Sequence, residues 1–492
     1  MEPIDFSQPS RQSSKGILVI FALHTLKFIR RYFVVFLALG LSVIKEESFS
    51  FLTPSILTLI ITGVVLLILL FAILKYLNFK FYLDKDQFHL SSGIVNKNLT
   101  IVPKSKIQNV YIKQNLIQQL INVVSLTIET AGDDKAEIEI NALNRANALE
   151  LKKQLFVKKQ IAAADSVEDI SESSVYFMVS TKRLLLEGIS QNHLKSFVII
   201  VSFVFGLYNE FKDYLQDLGI SEQLQSSVNF ETGSLFNLIL ANAFIVVLAI
   251  LISTLFSIIS TFISNFNLKV IENNITIEIN KGLFNKLSLI LMPVRIQNII
   301  IKTNRLKQAL GLHTLSIKQA MVNKKQQKNF KIVALEQHQV AHLVTKVFPL
   351  YNGLGPFDKP DVYYKRRLIF RSIIWGLFVN GLALVIFGNF FWSINSIIVP
   401  WLALFVHYTY KKSSYQITDK YLTVNSGFID RVRNISEIEK IQSVQIKQSI
   451  FQKQNNIASV HIATASDKVK IPCITEKNAK SIVDYLLFKI ES

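Results

Sequence analysis

The chain has 492 residues, enough for about three domains at roughly 150 residues each. Half of them are hydrophobic and 18% are charged, a balance that excludes a disordered chain, and several apolar runs are too long for the core of an ordinary soluble enzyme. The 54 Lys and Arg against 35 Asp and Glu leave a net charge of +19, which points to an anionic partner: nucleic acid, a membrane surface or an acidic ligand. One cysteine, Cys473, excludes an internal disulfide and a cysteine-rich zinc site.

In chain order, residues 1–16 are polar, and the apolar stretch from Ile17 is broken by His24, Lys27, Arg30 and Arg31. It reads as an interfacial lead-in over 17–30 rather than a cleavable signal, since no small-residue cleavage site follows. Apolar runs then occur at 32–44, 51–76, 194–208, 235–263, 368–391 and 394–410. Against the roughly 20 residues that a bilayer requires, these predict six transmembrane helices in three hairpins, with the first, third and sixth short. The loop inside the second hairpin, 209–233, holds Glu210, Asp213, Asp217, Glu222 and Glu231 against Lys212 alone. Basic residues crowd the outer flanks instead, among them Arg30, Arg31, Lys75, Lys182, Arg183, Lys195, Arg366, Arg367 and Lys411. Positive flanks face the cytoplasm, so both termini and every segment between hairpins are expected there.

Those segments repeat. Stretches beginning at Ser92, Lys281 and Ser426 align over 40 residues without a gap, matching Gly93 with Gly282 and Gly427, Ile107-Gln108 with Ile296-Gln297 and Ile441-Gln442, and Ala131 with Ala320 and Ala465. Each glycine follows a short alternating run and suits a hairpin turn that needs positive φ. The closing segments alternate as half-buried strands: Leu126 and Ile128, Leu315 and Ile317, Val460 and Ile462. A final helix carries one apolar stripe in each copy, through Leu143, Ala148, Leu151 and Leu155 in the first, Leu335, Val340, Leu343 and Val347 in the second, and Ile474, Ala479, Ile482 and Leu486 in the third.

A strand, an SGI-type turn, a K/R-I-Q-N/S run, an L-x-I-x-T-A segment and a helix together resemble the bacterial pleckstrin-homology (PH)-like domain of the YdbS/YdbT-like membrane proteins. The resemblance covers nearly the whole chain. The copies depart from one another at Thr303, where the others have Gln114 and Gln448, and at Ser443, where they have Asn109 and Asn298. It implies an integral membrane protein in the bacterial plasma membrane, with helical hairpins alternating with three PH-like β-sandwich or barrel domains, each ending in a C-terminal α-helix. It also implies a place in envelope stress or antimicrobial resistance, without naming a reaction. The expected plan is an interfacial helix and hairpin over 1–77, a PH-like domain over 78–158, a linker over 159–193, and a hairpin over 194–264. A second domain over 265–348, a linker over 349–367, a hairpin over 368–409 and a third domain over 410–492 complete it.

Three basic positions persist in all copies: Lys97, Lys286 and Arg431; Lys106, Arg295 and Lys440; and Lys113, Lys302 and Lys447. They read either as contacts to anionic lipid headgroups or a protein partner, or as solvated strand positions whose stems cover apolar neighbours. The second copy is the most basic, with a net charge of +10 over 267–348, and its excess collects at Lys324, Lys325, Lys328 and Lys331 beside Lys318. Gln108, Gln297, Gln442, Asn109 and Asn298 read as structural groups that close backbone hydrogen bonds. His338 and His342 lack the intervening residues of a metalloprotease helix and read as an exposed face. No cofactor loop, nucleophile set or metal set is present in the sequence, no interleaved aromatic platform supports nucleic acid, and the spans hold no Asp or Glu. The expectation is a non-enzymatic scaffold, without cofactor or metal, for membrane lipids and protein partners, in a homo- or hetero-oligomer. The alternative is a transport or lipid-handling assembly that uses Asn242, Asn380 or His407 inside its spans.

Overall fold

The computed structural model describes residues 5–33, 54–130, 137–161, 174–217, 243–273, 276–319, 330–353, 355–387, 392 and 395–491. Three of the described helices are long and apolar enough to cross a bilayer. They lie at Thr58–Leu77 within α2 (Pro54–Leu77), at Val247–Asn265 within α7 (Ala243–Asn265), and at Val362–Val385 within α10 (Val362–Phe387). Their large side chains, such as Leu59, Leu67, Leu251, Leu255, Leu377 and Val385, point outward, as lipid-facing helices require.

The expected count of six spans is therefore corrected to three among the described residues. Most of 32–44 lies outside those residues. The run at 194–208 forms the first part of α6 (Leu194–Asp217), but it is shorter than the roughly 20 residues a bilayer requires, and polar sequence follows from Asn209. The last run forms α11 (Asn395–Lys412), an 18-residue helix interrupted by Pro400 and His407 and ending on Lys411 and Lys412. Asn380 of α10 and Asn395 of α11 exchange two hydrogen bonds of 2.8 and 2.9 Å, which is the helix-to-helix role expected of a polar group in such a hairpin. Asn242 lies outside the described residues.

Each repeat builds two antiparallel meanders of three strands joined by a 3-10 turn, followed by a helix. The first comprises β1 (Lys80–Asp84), β2 (Gln87–Ser92), β3 (Asn98–Pro103), the turn Lys104–Lys106, β4 (Ile107–Gln114), β5 (Val124–Thr130), β6 (Glu137–Leu143) and α4 (Arg145–Ile161). After β7 (Ser174–Met178), the second comprises β8 (Lys269–Glu272), β9 (Ile277–Lys281), β10 (Lys286–Leu291), Pro293–Arg295, β11 (Ile296–Thr303), β12 (His313–Gln319), β13 (Lys331–Leu335) and α9 (Gln337–Val347). The third comprises β14 (Ser414–Ile417), β15 (Tyr421–Ser426), β16 (Arg431–Glu437), Ile438–Lys440, β17 (Ile441–Lys447), β18 (Ile457–Thr464), β19 (Lys468–Thr475) and α13 (Glu476–Glu491). Gly93, Gly282 and Gly427 have φ between +106° and +117° at the turn before the third strand. A Cβ there would collide with the carbonyl oxygen of Asn96, Asn285 or Asp430.

The stripes read from the sequence face the core, but the first member of each, Leu143, Leu335 and Ile474, lies on the last strand (β6, β13 and β19) and not on the helix, because the strand runs almost directly into it. Leu143, Ala148, Leu151 and Leu155 join Phe81, Phe88, Leu126 and Ile128 in one core, and Ile474, Ala479 and Leu486 join Leu422, Val460 and Ile462 in another, with Ile482 half-buried at its edge. Burying each Leu or Ile stabilises its domain by roughly 1.5–3 kcal/mol, so the stripe fixes where the helix lies.

Successive repeats share sheets. β10 pairs antiparallel with β4, giving the seven-stranded order β6-β5-β4-β10-β9-β8-β7. β16 pairs antiparallel with β11 from Asn298 opposite Ser436 to Thr303 opposite Arg431, giving the six-stranded order β13-β12-β11-β16-β15-β14. The chain forms two compact units, residues 1–176 with 270–290, and 177–269 with 291–492. The second repeat is thus divided: most of its first meander belongs to one unit and its second meander to the other.

The segment leading into each hairpin lies near the last strand of the repeat that follows. In the first, α1 (Gly16–Arg31) packs Val19 against Val123 and Ala142, and Ser13 N–H donates to Ala142 O at 2.9 Å. In the second, α5 (Thr181–Ile189) packs on β13. In the third, Asp361 N–H donates to Cys473 O at 2.8 Å.

Candidate anion-binding site

The repeated basic positions do not form one surface. Lys97, Lys106 and Lys447 are exposed on separate elements. Lys113 and Lys286 sit at the β4–β10 seam, opposite Leu287 and Gln114, with the Lys113 ammonium 5.4 Å from the Tyr111 ring centre. Lys440 is bound to Glu437 at 2.6 Å and donates to Ile296 O at 2.9 Å, a structural tie across the seam. Arg295 closes its 3-10 turn, and burial pushes its pKa down. Arg431 lies opposite Thr303 and lines a different cavity, with Arg433 and His313. Lys324, Lys325 and Lys328 lie outside the described residues. Of the predicted site residues, Lys302 and Lys331 come together.

They do so because strand periodicity places them on one sheet face. Lys302 pairs with Thr314, Ile300 with Ser316, and Asn298 with Lys318, while Ser316 pairs in turn with Lys331. The opposite face carries Ile299, Leu315 and Ile317, all buried. The connector between α5 and α6 supplies Gln191 and Asn192, the start of α6 supplies Lys195, and α8 (Arg305–Ala309) supplies Lys307. Together they enclose a cavity of about 610 Å³ with five lysines and one carboxylate, Asp430, in its wall.

Lys307 has a partner already. Its Nζ is 2.5 Å from Glu187 Oε1 and 2.9 Å from Thr314 Oγ1, and Glu187 is fully buried. In the gapless alignment Lys307 stands where the other repeats have Gln118 and Gln452, whose Nε2 atoms donate to Ser125 Oγ at 2.6 Å and Ser459 Oγ at 3.1 Å. The second repeat thus replaces a neutral buried contact with a charged one, and α5 provides the counterion. Lys195, Lys302, Lys318, Lys331 and Asp430 line the cavity as well. Burial, and then the nearby Lys307, push the Lys331 pKa below the ordinary lysine range; Lys302 adds to this, while Glu187 and Asp430 oppose it. An anion in the cavity would relieve that repulsion.

Sequence reading missed Glu187 and Lys307 and took Lys195 only as a span flank. The lysine was visible as the odd member of the Gln118, Lys307, Gln452 column. Its partner lies outside the repeat and left no such mark.

Other repeated polar groups are structural. Asn298 Nδ2 donates to Ser436 Oγ and to Asn434 Oδ1, and its Oδ1 accepts from Thr464 Oγ1 at 2.7 Å and Ser466 Oγ at 3.2 Å, tying the second repeat to the third. Thr303 keeps the role of the glutamines it replaces: its Oγ1 donates to Leu312 O at 3.2 Å, as Gln114 and Gln448 donate to Val123 O and Ile457 O at 2.9 Å. His338 and His342 are exposed on α9, and His338 lies 3.3 Å from Glu336. No group of three or more metal-ligating side chains occurs among the described residues.

Residues 26–159, 228–348 and 373–489 each match the model of the bacterial PH domain family. The chain belongs to the bacterial PH domain family. A curated relative, UPF0699 transmembrane protein YdbT of Bacillus subtilis, is 23% identical over 438 residues, covering 85% of this chain and 87% of the relative. This bacterial PH domain chain is thus a membrane protein with three copies of the domain. Its family matches begin in or ahead of the apolar helices, at 26, 228 and 373, so the repeating unit includes membrane-proximal helix as well as strands.

Proposed function

We propose that the protein is a non-enzymatic scaffold of the bacterial plasma membrane. It holds its PH domains on the cytoplasmic side as a joined array for a protein partner and for anionic headgroups. The observation that carries this reading is the antiparallel pairing of β4 with β10 and of β11 with β16, by which each repeat's sheet edge is occupied by its neighbour. Joined edges hold their binding faces in fixed register and leave fewer strands open to indiscriminate pairing. The lysine-lined cavity supplies the anionic contact, and the basic flanks of the apolar helices support the cytoplasmic orientation. The resemblance to envelope-stress and resistance proteins supports a role in protecting the membrane.

Paired cysteines at Ile301 and Arg433, opposite each other across β11 and β16, test the array in native membranes. Directly opposed antiparallel residues have Cα atoms about 4.5–5.5 Å apart, within disulfide range. A fast cross-link within one chain is expected, and independent domains would give none. Reconstituted vesicles test the alternative: the scaffold expects no solute flux or lipid transfer above protein-free vesicles, and flux that depends on Asn380 would favour the transporter.

A further inference from the structure

The two seams between repeats keep one register. In both, the residue 21 places after a turn glycine stands opposite the residue 4 places after the next repeat's glycine: Gln114 opposite Lys286, and Thr303 opposite Arg431. The adjacent pairs stay in step, Lys113 with Leu287 and Lys302 with Val432. One strand of each kind is left at a sheet edge among the described residues: β17, the counterpart of β4 and β11, and β3, the counterpart of β10 and β16. The same count sets Gln448 opposite Lys97, Ile446 opposite Leu99 and Val444 opposite Ile101. In the β11–β16 seam the pair equivalent to Val444 and Ile101 is Ile299 with Ile435, both fully buried. At the free edges Ile101 is 47% exposed, Leu99 63% and Ile446 38%. Pro103, which has no amide for a ladder, falls one residue beyond the paired stretch.

The flanks of the two edges match as well. At the first seam, Gln119 of α3 (Leu116–Leu120) donates to the carbonyls of Leu283 and Phe284, in the turn before β10, at 3.1 and 2.9 Å. At the second, Leu306 of α8 lines one cleft with Phe428 and Ile429, in the turn before β16. The equivalents at the free edges are Lys453 and Phe451 of α12 (Ile450–Gln454), and Ile94 and Val95 in the turn before β3. Val95, Ile450 and Phe451 are each more than two-thirds exposed.

We infer that β17 of one chain pairs antiparallel with β3 of a second copy, in the register of the two internal seams, so that the array continues from chain to chain. The inference rests on the proposed array and names its partner. A second copy fits because it carries the strand that each edge lacks, already in the register that the chain uses twice within itself. It also covers apolar side chains with apolar side chains: Leu99 and Ile101 with Ile446 and Val444, and Val95 with Phe451. The contact is head-to-tail, so a chain whose β17 is filled still offers β3, and assembly proceeds past the dimer to a ring or a row.

Cross-linking in native membranes provides the test, with differently tagged full-length chains carrying Leu99→Cys and Ile446→Cys expressed together. The native Cys473 is buried and does not compete. A disulfide between the two chains is expected on mild oxidation, since directly opposed residues lie within disulfide range. It should form about tenfold faster than one between Thr100→Cys and Ile446→Cys, because a step of one residue turns the side chain to the other face. Neither single-cysteine chain should link to itself, and a chain carrying both cysteines should give dimers and higher multiples. Ile450→Asp with Phe451→Asp is expected to slow the link about tenfold by charging the apolar flank. The cross-link between positions 301 and 433 should be unchanged in that variant, which shows that the fold persists. No link between chains, equal linking from position 100, dimers of either single-cysteine chain, or a double-cysteine chain that closes only on itself would each overturn the assignment. The link between positions 301 and 433 would survive any of these results, which separates loss of the contact between chains from loss of the array within one.

Discussion

Lys307 and Glu187 show how one substitution within a repeat changes what its surroundings must provide. A buried ammonium and a fully buried carboxylate hold each other, and removal of one strands the other in a low-dielectric site. Lys307→Ala is therefore expected to destabilise the second unit by about 3–5 kcal/mol, seen as a fall in thermal midpoint. Lys307→Gln combined with Glu187→Gln restores the neutral arrangement of the other repeats and should recover most of the loss. A second prediction concerns His313 on β12. Burial lowers its pKa, with Lys307 adding to the effect and hydrogen bonds to the Leu335 and Gly311 backbones opposing it. As pH falls through about 6.5 the unfolded chain takes up the proton first. Stability is then full above that pH, declines towards the lower folded-state pKa, and levels off below it. His313→Gln should flatten the thermal midpoint between pH 7.5 and 5, and an unchanged slope would show that other groups set it.

Local geometry was largely legible in the sequence because it depends on near neighbours. Gly93, Gly282 and Gly427 marked their turns through a conformation that side chains avoid, and the 3.6-residue stripes marked the buried helix faces, except that Leu143, Leu335 and Ile474 end the strand before each helix. The seams were not legible in detail. Period-two alternation shows which face of a strand is buried but not which strand lies beside it, so it could not select β4 with β10 or β11 with β16. Asn298 carries part of that missing information: it is fully buried and bonds to Asn434 and Ser436 on β16, to Thr464 at the end of β18 and to Ser466 just beyond it. Ser443 replaces it in the third repeat, where β17 pairs with β18 in a three-stranded sheet. Asn298→Leu would leave several buried hydroxyls short of a partner, at roughly 1–3 kcal/mol for each group left unsatisfied. The expected outcome is a lower thermal midpoint together with slower cross-linking between cysteines at positions 301 and 433. A lower midpoint with unchanged cross-linking would make Asn298 an internal brace of its own repeat.

At the scale of the whole molecule, sequence repeats and compact units do not coincide. Duplication predicts three equivalent domains, each able to fold alone, yet the second repeat contributes most of β8–β10 to one unit and β11–β13 to the other. In the membrane part, the expected runs at 51–76, 235–263 and 368–391 overlap helices long enough to span, most of 32–44 lies outside the described residues, and the helix built on 194–208 turns polar from Asn209. Excision gives the most direct test of this division. A fragment spanning 265–348 contains every strand of the second repeat but loses β4 beside β10 and β16 beside β11, and it loses Glu187, the counterion of Lys307. Two open strand edges and an unpaired buried ammonium should make it aggregate or remain without protected amides in hydrogen exchange. A longer piece, 177–492, keeps β16, Glu187 and the third repeat, and in detergent its β11 and β12 amides should be protected as in the full chain. Equal protection in the short fragment would show that the repeat is self-sufficient, making the shared sheets an accessory to the fold rather than part of its foundation.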